Sequence, residues 1–312
     1  MRFRKIVLKL AIMGGLWAVG PTLAVLAHSL IAPDRVGVFE ETELDLPLLA
    51  RQGTNEAVQP EIGNAHVFET GPVMGFGTPE PRRWFGLGVR SGTPRPIVVL
   101  LHPSGQDGQS VLALWQGVAK KRDIVLVAPE ARGDTWSMIS DGPMFLAALL
   151  KEVGVNYPMA SDWIFLVGYG EGAAHAMRIA NLGGGPFGAV AAVSGQSPRF
   201  RMLPALTPVP VLGFVGDHDG DDAVPNMRAA LDRLAQAGHP ATLTRISGGT
   251  AMDAGASQGL ADHIWTRLSD RAPASLRAQA PADTSSDPTG VVVRRGTDTG
   301  SGAKWIRVGP GD

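Results

Sequence analysis

The chain of 312 residues contains no cysteine. That excludes disulfides, thiolate metal sites and a thiol nucleophile, and it leaves both a reducing and an oxidising compartment open. An excess of charge of either sign is also lacking: 28 basic residues face 29 acidic ones, for a formal net charge of −1. No nucleic-acid partner is therefore expected, because the basic footprint such a partner needs is missing. No internal repeat is visible in the sequence. The length suits one large domain or two small ones.

One apolar stretch stands at the beginning. Arg2, Arg4, Lys5 and Lys9 precede an uncharged run from Leu10 to Ala27. Basic residues ahead of such a run mark a signal peptide or a signal anchor, here assigned to residues 1–32. The run is longer than the usual h-region and close to the ~17 residues that a spanning helix requires. Gly20-Pro21 would break the helix before Val25-Leu26-Ala27, which offers small residues for cleavage near Ala27. With either outcome the positive end stays in the cytoplasm. The expected location is periplasmic, or anchored in the inner membrane with the folded part outside the cytoplasm.

Residues 33–63 are acidic (Glu40, Glu41, Glu43, Asp45, Glu56, Glu61) and read as an irregular spacer. From 64 to 270, strand-like and helix-like segments alternate. Ile97-Val98-Val99-Leu100-Leu101 is a continuous aliphatic run, as in a strand covered on both faces. Val111, Leu114, Trp115 and Val118 follow at helical spacing, and Asp141-Gly142-Pro143 opens another helix with proline in its first turn. Met227, Leu231 and Leu234 stripe a later helix; Leu260, Ile264 and Leu268 stripe the last. This alternation predicts an α/β fold with a doubly wound, mostly parallel sheet and helices on both faces. About 200 residues can bury close to 70% of their surface, enough for one core. From 271 to 312 the composition turns to Ala, Pro, Ser, Thr and Gly, which predicts a disordered tail; Val291–Val293 and Trp305–Val308 are its two strand-prone pieces, able to form a hairpin or join a sheet edge.

The most telling absence is at Gly168-Tyr169-Gly170-Glu171-Gly172. The apolar run Trp163–Val167 precedes it and a helical segment from Ala173 follows. In G-x-S-x-G the outer glycines let the turn close sharply, so that the central residue stands exposed above the sheet. Here the central residue is Gly170, with no oxygen to attack with. Gly168, Gly170 and Ala173 also fit a G-x-G-x-x-A dinucleotide turn. The acidic residue which that site needs about 20 positions on is missing, since the next strand, Ala189–Val193, ends in Ser194-Gly195. Glu171 would also set a negative charge against a pyrophosphate at a helix N-terminus.

From about Arg83 to Asp270 the chain resembles the α/β-hydrolases, and within them the secreted esterases of the polyhydroxybutyrate-depolymerase and feruloyl-esterase type. Five stretches carry the likeness: Val98–Gly105, Asp141–Ala160, Asp162–Ala180, Val211–Pro225 and Ser257–Leu268. The resemblance implies a serine nucleophile, a histidine base, an orienting carboxylate and two backbone donors for the oxyanion. The nucleophile maps to Gly170 and the histidine to Thr250 or Ala251. The carboxylate maps to Asp219, or to Asp221. One oxyanion donor would be the amide of Glu171, and the other would come from the loop after His102, where Pro103 has no N–H and only Ser104 or Gly105 could donate. His102, Ser104, Gly105 and Glu171 are therefore the candidate binding or oxyanion-loop residues, and Gly170, Asp219 and Thr250 are vestigial catalytic positions.

Three residues are candidates for a displaced catalytic group. Ser104 lies on the oxyanion loop and Ser194 at a strand end, neither expected on a strained turn, and His218 sits beside the acid loop. His263 lies off the last helical stripe and reads as a solvent-edge residue; His175, one turn into its helix, packs there or faces solvent. Asp217, Asp219, Asp221 and Asp222 cluster, yet lack the glycine and glutamate positions of a calcium loop, so no metal is expected. No cofactor is implied. The expected function is a non-catalytic hydrolase-fold protein acting as a binding or assembly component. Its expected partner is an unidentified protein or small molecule, with the membrane engaged through an uncleaved N-terminus. The alternative is a carboxylic-ester hydrolase with a displaced nucleophile.

Overall fold

The computed structural model describes residues 37–45, 65–71, 80–182, 186–195, 202–252, 258–270, 292–295 and 306–307. The N-terminal apolar run lies outside them. Among the described residues no helix is long and apolar enough to cross a membrane.

The centre of the molecule is a parallel sheet of β4 (Arg95–Leu101), β5 (Val125–Pro129), β6 (Met159–Tyr169), β7 (Ala189–Val193), β8 (Val211–Gly216) and β9 (Ala241–Ser247). These are the aliphatic, β-branched runs of the sequence, and their alternate side chains feed two cores. Ile97, Val99 and Leu101 of β4 pack on one face with Phe145, Met177 and Leu231. Val98 and Leu100 pack on the other with Val111, Trp115 and Ile264. Each fully buried aliphatic side chain contributes about 1.5–3 kcal/mol of transfer free energy, which is why strands apolar on both sides take the middle of the sheet.

The first face is covered by α2 (Pro143–Asn156), α3 (Glu171–Asn181) and α4 (Ala223–Gln236); the second is covered by α1 (Gly108–Arg122) and α5 (Gln258–Ser269). Helix starts follow local chemistry. Asp107 caps α1 by accepting from the Ser110 amide at 2.9 Å, and Pro143 occupies the first turn of α2, where its missing N–H costs nothing. On the α1 side, Trp115 Nε1–H donates to the Tyr169 hydroxyl at 2.8 Å and so ties that helix to the strand leading into the glycine turn.

At one end, β5 pairs antiparallel with β3 (Arg83–Leu87), and β3 pairs antiparallel with β2 (His66–Glu69). The other end departs from the sequence expectation. Inside the stretch read as an irregular spacer, β1 (Phe39–Asp45) lies parallel to β9, in register from Phe39↔Ala241 to Asp45↔Ser247. Its charges obscured it, but Glu41 and Glu43 alternate with Thr42 and Leu44, which are buried. The Thr42 and Thr244 hydroxyls share a 2.9 Å hydrogen bond. Glu41 pairs with Arg228 of α4 at 2.5 Å. Charged residues on a strand near a sheet edge are a common way to blunt it.

Two pieces of the tail also depart from the expected disorder. β10 (Val292–Arg295) pairs antiparallel with β1, and β11 (Ile306–Arg307) pairs antiparallel with β10. The described sheet therefore has 11 strands in the order β11-β10-β1-β9-β8-β7-β6-β4-β5-β3-β2.

Candidate functional site

In an open parallel sheet the loops at the carboxyl ends of the strands gather at one rim. Here the rim collects the ends of β4, β6, β7, β8 and β9, and with them almost every residue singled out above.

β6 delivers the glycine turn. Gly170 has φ 54° and ψ −117°, a conformation an L-residue adopts only under strain. Its N–H donates to Val193 O at 2.9 Å, and its carbonyl accepts from the amides of Ala173 and Ala174. The turn is thus built as the elbow requires. A Cβ on Gly172 would come 2.5 Å from Leu101 O, so the close approach of α3 to β4 depends on that glycine. The central position is not open above, however. A Cβ on Gly170 would lie 2.9 Å from the Cβ of Pro103. The proline that lacks an oxyanion N–H also crowds the space a nucleophile would project into.

After β4, the oxyanion-loop candidates separate. Ser104 and Gly105 are exposed on a turn closed by Gln106 N–H to Pro103 O, with Gly105 at φ 73°. His102 is buried instead. Its Nδ1–H donates to Pro103 O at 2.9 Å, and its Nε2 accepts from the Ala131 amide at 3.2 Å. Both ring nitrogens are thus engaged inside the fold. Glu171 is exposed at the first turn of α3.

The carboxylate position is occupied and fully engaged. Asp219 Oδ2 accepts from the Ser194 hydroxyl at 2.8 Å and from the Gly216 amide at 2.8 Å, while Oδ1 accepts from the Ala251 amide at 2.9 Å. One side chain thus binds together the ends of β7, β8 and β9. Thr250, at the histidine position, adjoins this contact but supplies no imidazole. Asp221 and Asp222 are exposed, and Asp217 pairs with Arg245 at 2.9 Å.

The displaced-group candidates fare unequally. Ser194 does stand on a strained turn, at φ 51°, contrary to the expectation from sequence. Ser104 is a plain turn residue. His218 is exposed and held through its backbone N–H to Gly249 O. Among the described residues, no imidazole hydrogen-bonds to Ser104 or Ser194. A carboxylate alone is a poor acceptor for a serine proton at neutral pH, and the chemistry of an activated serine rests on an imidazole between the two. His263 is half-buried with its ring edge-on to Phe214, 6.2 Å between centroids, rather than at the solvent edge.

A buried polar cluster that no sequence motif marks lies beneath the loop 130–142. Trp136 lies between His102 and His175, at centroid distances of 4.9 and 5.6 Å, and its indole N–H donates to His102 O at 2.8 Å. His175 Nε2–H donates to Asp141 O at 3.0 Å, and its Nδ1 has no partner among the described residues. Burial pushes this imidazole down to about 4, more than the Asp141 carbonyl and carboxylate push it up. The Asp141 carboxylate pairs with Arg82 at 2.6 Å, accepts from the Arg132 and Ser137 amides and from the Ser140 hydroxyl, and is fully buried. Arg82 and Asp141 are far apart in sequence, and no spacing rule connects them.

A sheet with this strand order, two antiparallel strands at one end and a sharp glycine turn after its central strand defines the α/β-hydrolase fold. Two solved structures bear this out. The chain is similar to a thermostable esterase, at 15% identity and a TM-score of 0.53, over 67% of this chain and 63% of that one. It is similar to an esterase of Pyrobaculum calidifontis at 14% identity and a TM-score of 0.51, covering 72% and 88% of the two chains. A ferulic acid esterase matches at 13% identity and a TM-score of 0.48, covering 67% and 97%. The chain thus spans less than two thirds of the thermostable esterase. No family model and no curated protein matches the sequence.

Proposed function

We propose that this chain is a non-catalytic α/β-hydrolase-fold protein that acts as a binding or assembly component, exported or membrane-anchored with its folded part outside the cytoplasm. The observation that carries the reading is the pairing of Gly170 with Pro103. The elbow retains its backbone, has no nucleophile, and faces a proline where the nucleophile's side chain would stand. The state of Asp219 supports it, since its oxygens are spent on Ser194 and two backbone amides. Export is supported by the four basic residues ahead of Leu10–Ala27.

A fluorophosphonate probe tests the first half, because it labels any activated serine whatever the substrate. The wild-type protein should remain unlabelled under conditions that saturate an active serine esterase. A C-terminal alkaline phosphatase fusion tests the second half and should be active. An inactive fusion, with an active cytoplasmic reporter at the same site, overturns export.

One observation favours a second reading, an ester hydrolase with a displaced nucleophile. Ser194 combines a left-handed backbone with a 2.8 Å bond to the acid-loop carboxylate. Its substrates would be acyl esters, small or polymeric. Labelling that Ser194→Ala or Ser104→Ala abolishes would establish this reading in place of the first.

A further inference from the structure

The surface charge of the described residues divides along the strand direction. At the elbow rim, the carboxyl end of the parallel strands, exposed acids prevail: Asp107, Asp134, Glu171, Asp221 and Asp222, with Arg83 and Arg132 against them. At the opposite end, the corner where β4, β5 and β6 begin exposes Arg90, Lys120, Lys121 and Lys151. The exposed acid there, Asp123, is paired with Arg95 at 2.6 Å, which joins the start of β4 to the end of α1. Arg90 donates to the Asn156 side chain at 3.1 Å and so brings Val89 and Val155 into the same corner. These valines are 48% and 74% exposed. Lys151 lies one turn of α2 from Val155.

The chain also enters the fold at this end. Gly37 N–H donates to Ala235 O at 2.7 Å, beside the last turn of α4, and β1 then runs parallel to β9 toward the rim. Val38 is 65% exposed. Residues 28–36 separate Gly37 from Ala27, the last of the N-terminal apolar run, and span at most about 32 Å. A domain of this size is wider, roughly 40 Å. A retained N-terminal segment therefore holds the amino ends of the strands toward the bilayer. Along the sheet, β9, β8, β7 and β6 lie between β1 and β4, which places the basic corner about 24 Å from the entry point.

We infer that this corner, Val89 and Val155 among Arg90, Lys120, Lys121 and Lys151, docks on an anionic lipid bilayer and turns the elbow rim to the aqueous side. Long basic side chains lay their stems on apolar surface and reach the lipid phosphates with their charged heads, while the valines meet the headgroup layer. The rim exposes apolar side chains too, Ile139 and Met144, but its carboxylates oppose a negative surface. The inference rests on export with the N-terminal segment retained, and the test separates the two. It does not depend on the reading of the elbow.

Because the chain has no cysteine, a single introduced one reports a single site. Full-length Val155→Cys and Ile139→Cys, each carrying a fluorophore, are reconstituted into vesicles of phosphatidylcholine and phosphatidylglycerol with a nitroxide quencher on the headgroups. Quenching at 155 should exceed that at 139 by roughly threefold or more. The excess should vanish in high salt, in vesicles of phosphatidylcholine alone, and on adding Lys120→Glu/Lys151→Glu, whose urea midpoint should match that of the parent. Flotation with the vesicles in high salt reports the retained segment separately. A chain that floats in high salt but is quenched equally at both sites, or at 155 whatever the charge, overturns the docking alone. A chain that floats only at low salt, with quenching at 155 still dominant, overturns retention and leaves the docking standing. A chain that stays out of the vesicle fraction overturns both, and dominant quenching at 139 would make the rim the membrane face instead.

Discussion

The Ser194 hydroxyl donates to Asp219 Oδ2 at 2.8 Å, and the same carboxylate accepts from two backbone amides. Asp219 is a joint between three strand ends. Hydrogen bonds to a charged group contribute about 1.5–3 kcal/mol each, and losing the acceptor strands every donor at once. Asp219→Ala is expected to lower stability by roughly 2–4 kcal/mol, and Ser194→Ala by about 1 kcal/mol. Urea unfolding of both variants checks the order; equal effects would show that the joint does not centre on Asp219.

Restoring a nucleophile is expected to cost stability before it yields activity. Any side chain at 170 must accept φ 54° and displace Pro103. Gly170→Ala should therefore destabilise by about 1–3 kcal/mol, measurable as a lower urea midpoint. Gly170→Ser should give no p-nitrophenyl acetate turnover above background, because residues of a triad act as a unit. Turnover is expected only when Thr250→His supplies a base and Glu171→Ala removes the charge beside the oxyanion. Circular dichroism must show each variant folded, and turnover by Gly170→Ser alone would contradict the assignment.

The buried pair Arg82–Asp141 should be among the most sensitive points of the fold. Breaking a buried pair by removing one partner typically costs about 3–5 kcal/mol, because the other charge is left without compensation. Arg82 also stacks its guanidinium over Phe145 at 4.3 Å. Arg82→Ala should consequently unfold at much lower urea than Arg95→Ala, whose pair with the exposed Asp123 is a surface one.

Acid should weaken the fold through two histidines. Burial pushes both His175 and His239 down to about 4 from an ordinary 6.5, against weaker upward contributions from their backbone partners. The unfolded chain then binds more protons than the folded one between those values. Stability is complete above about pH 6.5 and falls as pH drops toward 4, by up to about 3 kcal/mol for each imidazole. Urea midpoints from pH 7 to pH 4.5 should decline accordingly. His175→Gln and His239→Gln should each flatten the slope, and a slope unchanged in both would rule these imidazoles out as its source.

What local sequence determined is the order of the elements from β2 to α5 and the glycine at the centre of the elbow. Continuous β-branched runs at Ile97–Leu101 and Trp163–Val167 specify buried strands because few other structures satisfy an apolar chain on both sides. Helical spacing at Met227, Leu231 and Leu234 specifies one buried face. The elbow was legible for the same reason: its glycines, the strand before and the helix after all lie within about twenty residues. Tertiary structure alone decided the rest. β1 became a strand because β9 offers it an edge, and because Arg228 and Arg245 stand where its glutamates fall, by direct pairing with Glu41 and by register against Glu43. Ser194 meets Asp219 and Arg82 meets Asp141 only after strands remote in sequence are laid side by side. Pro103 closes over Gly170 because two loops from neighbouring strands converge at one rim. Such contacts depend on which strands are neighbours, and pairing between distant segments leaves no period or spacing in the sequence to read.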